Sequence, residues 1–369
     1  MSVDTGSGPV PGPGILDIAP YVGGDSKAAG ALRTIRLASN ESALGPSPKA
    51  IAAYRALAGE IYRYPDGNAG ELREVLARHH ELDPERIVCG SGSDELIGML
   101  IRCYAGPGSE VLYSQHGFLM YPIGAKSVGA APVAAPEREL TADVDALLAR
   151  VTDRTRIVFV ANPNNPTGTY LSAREMTRLH AGLPRHVVLA IDAAYAEFVN
   201  RNDYEPGISL VNRADNVVML RTFSKIYALA GLRLGWAYCP PAIADVLNRV
   251  RGPFNVTAPA LAAGVAAVED TAALAQARAH NDRWLPWFSE RLAALGLKLT
   301  PSVGNFVLPR FPDEPGRNAT AAFDFLHSRG ILTRKMAGYG LPQHLRITIG
   351  TGEEMEIVAA ALAEFMAAA

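Results

Sequence analysis

The chain is short of the features that mark several protein classes. Its 369 residues include three cysteines, Cys89, Cys103 and Cys239, widely spaced in apolar runs and with no CxxC pair. A disulfide framework or zinc site is not expected from such spacing; buried free thiols in a reducing compartment are. No stretch reaches about 18 uninterrupted apolar residues, so no membrane span is expected. The start, "MSVDTGSGPVPGPG", has neither a basic opening nor an apolar core. It reads as a loose arm available to a partner subunit rather than a secretory signal, which makes a cytoplasmic location the expectation. Excess charge is missing too. The formal net charge is -2 and no basic helix-turn-helix segment precedes residue 40, so nucleic acid is not an expected partner. Internal repeats are absent. What remains is 49% hydrophobic and 20% charged, ordinary for a soluble enzyme of one large and one smaller domain.

From about Pro46 to Pro240, short β-branched runs alternate with helical patterns. "RIVCG" precedes "SDELIGMLIRCYA", "EVLYS" precedes "FLMYPIGAKSVG", and "RIVFVANP" precedes "AREMTRLHAGL"; "HVVLAID" and "NVVMLRT" follow. The apolar runs are continuous, as in strands buried on both faces of a mostly parallel sheet. This implies an α/β fold, doubly wound, with ligands at the carboxyl ends of the strands. Beyond Asn255 the chain turns Ala-rich and helical, with a bend expected near Asn281 to Pro286. Shorter strands, "NFVLPRF", "ILTRKM" and "LRITIG", follow among helices. The expected division is an arm and part of a small domain over 1–45, a large ligand-binding domain over 46–255, and a small α+β domain over 256–369.

Four stretches carry chemistry. "VCGSGSDELI" sets Gly90 to Ser93 between a strand and a helix, where unpaired N–H groups suit an anion, although from this motif alone a plain glycine loop with Ser93 or Asp94 as cap is the more ordinary reading. "VFVANPNNPTG" follows a strand with a tight turn that would hold the Asn165 amide rigidly as a donor. "IDAAYAEF" ends an apolar strand on Asp192, which is costly unless paired, with Tyr195 three residues on. In "TFSKIYALAGLRLGW", Lys225 stands among hydroxyls and apolar residues. A lysine becomes a nucleophile toward a carbonyl when desolvation and a neighbouring cation depress its pKa. Arg233, Thr222 and Ser224 suit a phosphate monoester. An aldehyde that bears a phosphate, and a ring nitrogen wanting an aspartate, is pyridoxal 5'-phosphate.

With "ILDIAPYVGG", "IRLASNES", "YRYPDG", "HGFLMY", "NFVL" and "GYGLPQHLRITIG" added, the run of motifs resembles the fold-type I pyridoxal-phosphate-dependent aminotransferases, and more narrowly the histidinol-phosphate aminotransferases. The resemblance spans nearly the whole chain. It implies that Lys225 forms the Schiff base and then shuttles protons, and that Asp192 pairs with the ring nitrogen. Asn165 and Tyr195 would bond the ring's phenolic oxygen, and Phe118 would stack on the ring. Ser93, Asp94, Thr222, Ser224 and Arg233 would surround the phosphate. Tyr64 would reach the phosphate from a neighbouring subunit, implying a homodimer with composite sites.

On the substrate side the resemblance gives Arg346 and Arg334 as anion ligands, with Asn40 and Tyr21 bordering the opening. His116 reads as structural or substrate-lining rather than as a general base. The sequence departs from the family at Ala193, where a glutamate is common, and at Ser42, Ala43 and Ser91. The implied activity is transamination of L-histidinol phosphate with 2-oxoglutarate, giving imidazole-acetol phosphate and L-glutamate in histidine biosynthesis. Alternatives are an aromatic amino-acid aminotransferase acting on tyrosine or phenylalanine, a threonine-phosphate decarboxylase, and a catalytically silent ligand-binding module. No metal ligand is expected.

Overall fold

The computed structural model describes residues 9–20, 23 and 33–367. Seven strands form one sheet, in the order Ile87–Gly90, Gly235–Tyr238, Val217–Thr222, Val188–Asp192, Thr155–Ala161, Glu110–Ser114 and Ala131–Ala135. Strand Gly235–Tyr238 runs antiparallel to both of its neighbours, and the other pairings are parallel. Every residue of Val188–Asp192 and Val217–Thr222 is buried. That is why these runs are continuously apolar: helices cover both faces of the sheet. Burying one side chain such as Leu189 or Ile191, both 0% exposed, stabilises the fold by about 1.5–3 kcal/mol.

The parallel strands end on one edge. Register places Ala161 beside Asp192 and Asp192 beside Leu220, so the segments after three strands open into one crevice. Helix Ser93–Tyr104 begins at the same edge. Its preceding residue, Gly92, has φ +82°, a conformation that favours glycine.

A second core lies around Phe288, Leu292, Leu345, Ile347, Met355 and Leu362. Here the strands Phe306–Val307, Leu345–Thr348 and Arg334–Lys335 form an antiparallel sheet. The early strand Ile35–Arg36 pairs with Ile331–Leu332 beside this core. Helix Ala258–Glu269, beyond the expected boundary at 255, buries Ala260, Ala263 and Val268 in the core of the large sheet.

The expected bend near Asn281 to Pro286 lies elsewhere. Helix Thr271–Ala294 runs through Pro286, and the chain turns 75° before it, between Ala258–Glu269 and Thr271–Ala294. Asp270 causes the break by leaving helical geometry (ψ 67°) and capping the next helix through Ala273 N–H. Pro286 has no N–H to donate, and the helix carries it at a place where both it and Asp282 are exposed. Among the described residues no single helix is long and apolar enough to cross a membrane. Cys89 and Cys239 are buried, while Cys103, expected to be buried, is only partly so.

Candidate active site

At the carboxyl edge of the large sheet lies a cavity of about 170 Å³. Its walls come from every motif that carried chemistry: Ser93 and Asp94 from the glycine loop, Phe118, Asn165 from the proline turn, Asp192 and Tyr195, and Thr222, Ser224, Lys225 and Arg233. These residues span 141 positions of sequence, from 93 to 233, and converge because parallel strands deliver their ends to one edge.

Lys225 is half-buried, and its Nζ donates to the Ser39 carbonyl at 3.1 Å. Burial lowers its pKa to about 8, helped by the charges of Arg346 and Arg233 against Asp94 and Glu41. Of the two arginines, Arg346 has the larger effect, although Arg233 lies only eight positions from Lys225 in the sequence. The amine also lies 5.7 Å from the centre of the Tyr195 ring. That hydroxyl accepts from Asn40 Nδ2 at 2.8 Å.

Asp192 is buried, and burial raises its pKa to about 6 against a hydrogen bond from Tyr121. Its Oδ2 accepts from the Tyr121 hydroxyl at 2.8 Å, while Oδ1, also buried, has no protein partner. Such an orphan acceptor is expensive unless a donor arrives.

An anion cup lies at the other end. Arg233 donates through Nη1 to Ser224 Oγ at 3.1 Å and through Nη2 to Asp94 Oδ2 at 3.2 Å. Ser224 N–H is held by Thr222 Oγ1 at 3.1 Å. Two glycines permit this crowding. A Cβ on Gly92 would lie 2.4 Å from Arg233 Nη2, and one on Gly235 would lie 2.5 Å from Ser93 N. The first turn of helix Ser93–Tyr104 thus presents its unpaired N–H groups beside a guanidinium.

Arg346 joins the two cores. Its Nη2 donates to Ala38 O at 2.6 Å and its Nη1 to Asn165 Oδ1 at 2.5 Å. Arg334 stands directly opposite it in strand register and lines a larger neighbouring cavity of about 640 Å³ with Lys126, Lys335 and Tyr339. Directly opposed like charges are unfavourable in an antiparallel pair.

Asn40, fully buried with φ +54°, is held by Thr348 and by Asn305, which donates to the Asn40 and Glu41 carbonyls. Tyr64 is not at the cavity: it is 82% exposed and stacks on Phe254 at 4.6 Å. His116 is tied to Glu137 through its ring, at 2.7 Å, and through its backbone N–H. Tyr21 lies outside the described residues.

Sequence reasoning missed Tyr121, Asn305 and the Ser39 carbonyl. Tyr121 alone had a signal, since it follows Phe118 by three residues and a helical turn returns it toward the same end.

A mostly parallel sheet that brings a lysine of depressed pKa, a buried aspartate with one oxygen unpartnered and an anion cup to one cavity is the site expected of an aminotransferase of class I and II. A family model of that description matches residues 33–362. The chain is 64% identical to a histidinol-phosphate aminotransferase of Paramagnetospirillum magneticum over 98% of its own length and 99% of the relative's. It is 61% identical to that of Rhodospirillum centenum, with the same coverage. The crystal structure of histidinol-phosphate aminotransferase from Sinorhizobium meliloti in complex with pyridoxal-5'-phosphate superposes with a TM-score of 0.87 at 30% identity, covering 96% of this chain and 97% of that one. The chain belongs to the histidinol-phosphate aminotransferases, within the aminotransferase class I and II family.

Proposed function

We propose that the chain transfers the amino group of L-histidinol phosphate to 2-oxoglutarate, giving imidazole-acetol phosphate and L-glutamate in histidine biosynthesis, with pyridoxal 5'-phosphate as cofactor. The observation that carries it is the meeting of Lys225, the unpartnered Asp192 Oδ1 and the Arg233 cup in one cavity. The residues fit the cofactor end to end: an acceptor for a protonated ring nitrogen, an amine for an aldehyde, and a cation with hydroxyls for a phosphate. When bound, that group supplies an aldehyde carbon for imine formation and an electron-withdrawing ring.

The chain's own residues do the rest. With a pKa of about 8, Lys225 keeps a useful fraction of free amine near neutral pH, both to attack a carbonyl and to accept a proton. Asp192 fixes a positive charge opposite it, and the Tyr195 hydroxyl and the Asn165 amide serve a phenolic oxygen between them. Phe118 offers a flat face. Ser93, Asp94, Thr222, Ser224 and Arg233 hold the phosphate, the first two through backbone N–H groups.

Arg346 and Arg334 receive the anionic ends of the substrates, bordered by Asn40. Lys126, Arg334 and Lys335 along the larger cavity favour a phosphate-bearing substrate over an uncharged aromatic ring. Tyr64 completes the phosphate site of the partner in a homodimer, consistent with its exposure beside exposed Ile61 and Tyr62. The division into an arm over 1–45, a large domain over 46–255 and a small domain over 256–369 belongs to the same reading, with helix Ala258–Glu269 packed back on the large sheet, as does a cytoplasmic location. Steady-state rates with histidinol phosphate, tyrosine and phenylalanine, each with 2-oxoglutarate, test it. Histidinol phosphate is expected to lead, and a wide preference for the aromatic acids would replace this substrate assignment.

A further inference from the structure

The two oxygens of Asp192 have different surroundings: Oδ2 is held by Tyr121, and Oδ1 is left to the cavity. The holding group is itself rigid. Tyr121 is fully buried on the helix Met120–Ser127, its ring stacked on Phe159 at 4.5 Å and 7°. Phe118 meets it edge-on at 5.9 Å and 87°. With one ring beneath and one at its edge, the hydroxyl can point in few directions. The same helix start therefore presents Phe118 to the cavity and a hydroxyl to the carboxylate.

The other groups around Asp192 pull both ways. Burial and the charge of Asp94, from the helix Ser93–Tyr104, oppose its ionisation; the Tyr121 hydrogen bond, the Ala194 N–H and Lys225 favour it. Tyr204 also lies within reach of its charge. Among the favourable influences, the Tyr121 bond is the largest. Burial and the Asp192 charge hold the Tyr121 phenol well above its ordinary pKa, so it donates throughout the working range.

We propose that Tyr121 is a positioning residue for the cofactor: its hydroxyl fixes Asp192 through Oδ2 and reserves Oδ1 for the protonated ring nitrogen. The inference rests on the cofactor assignment above. A carboxylate without that hydroxyl keeps its place in the sheet, but it takes up a proton more readily and turns more freely. Its grip on a cationic ring weakens in both respects.

The test is binding of pyridoxal 5'-phosphate to apoprotein across about pH 5 to 9, followed by fluorescence quenching. Wild-type affinity is expected to fall in two steps as pH drops, the first as Lys225 takes up a proton near 8 and the second as Asp192 does so near 6; the midpoint read is that of the lower step. In Tyr121→Phe, affinity at neutral pH falls about tenfold, the size of one hydrogen bond to a charged group, and the midpoint moves up by about one pH unit. Tyr121→Leu, which also lacks the hydroxyl, moves the midpoint the same way. In an Asp192→Asn background, adding Tyr121→Phe changes affinity little. A purely structural role would weaken binding equally in both backgrounds and leave the midpoint in place, and either result overturns the proposal. Failure of the wild-type protein to bind the cofactor at all would instead overturn the assignment on which it rests.

Discussion

Replacing Gly92 with alanine separates the anion cup from the rest of the site. The new Cβ would stand 2.4 Å from Arg233 Nη2 and 3.1 Å from its Cζ, well inside contact distance. No backbone atom stands that close, so the conflict is relieved by moving the far end of one long side chain. The fold therefore survives. Its own loss is the strain of an alanine at φ +82° and ψ 164°, a region essentially reserved for glycine, about 1–3 kcal/mol.

The larger consequence falls on the cup. Arg233 is pushed off Ser224 and Asp94, and a phosphate loses a charge-assisted hydrogen bond of about 1.5–3 kcal/mol. Dissociation of pyridoxal 5'-phosphate from the apoprotein is expected to rise about 10- to 100-fold, while the unfolding midpoint in urea drops only slightly. Equilibrium dialysis across a cofactor series reads the first, and circular dichroism the second. Wild-type affinity with full folding would refute the placement of Arg233 at the phosphate.

Other expectations follow from single contacts. Because the Lys225 amine is held near 8, its free-base fraction grows as pH rises through that value. The pH at which borohydride-trapped cofactor reaches half its maximum should lie nearby, and Arg346→Gln should move it upward by removing a neighbouring cation. Glu197→Gln leaves Arg221, whose side chain is 4% exposed, without its buried counter-charge. A loss of about 3–5 kcal/mol in denaturant unfolding is expected, and a loss below 1 kcal/mol would contradict it. If Tyr64 serves the partner's site, Lys225→Ala and Tyr64→Ala dimers, each feeble alone, regain on mixing about a quarter of wild-type activity, since half of the dimers then hold one intact site. No recovery after subunit exchange would place Tyr64 outside the active site.

Much of the cavity lining was legible in the sequence because its residues lie in short motifs at strand ends; an Asp closing "VLAID" could by itself cap a helix and a Lys after "LRTFS" could by itself be a solvated loop residue, and it was their combination that pointed to one site. The strands were legible because burial on both faces makes them continuously apolar. Less visible were relations between distant segments. Arg346 acts on Lys225 more strongly than Arg233 does, although 121 positions separate it from the lysine. Only the pairing of Leu345–Thr348 within the second sheet, with Leu37 bonded to Thr348, brings it near. The Ser39 carbonyl could not be read at all, since every residue has one. Pro286 attracted the expected bend because proline usually ends helices; the helix runs through it at an exposed position, while Asp270 supplied a cap that breaks the run.

The central claim is that the amine of Lys225 carries the cofactor, and borohydride reduction of the holoenzyme, followed by proteolysis and mass spectrometry, tests it most directly. A single reduced pyridoxyl group on the peptide containing Lys225 is the expected result. A label on any other lysine, or no label on a protein that still transaminates, would contradict it.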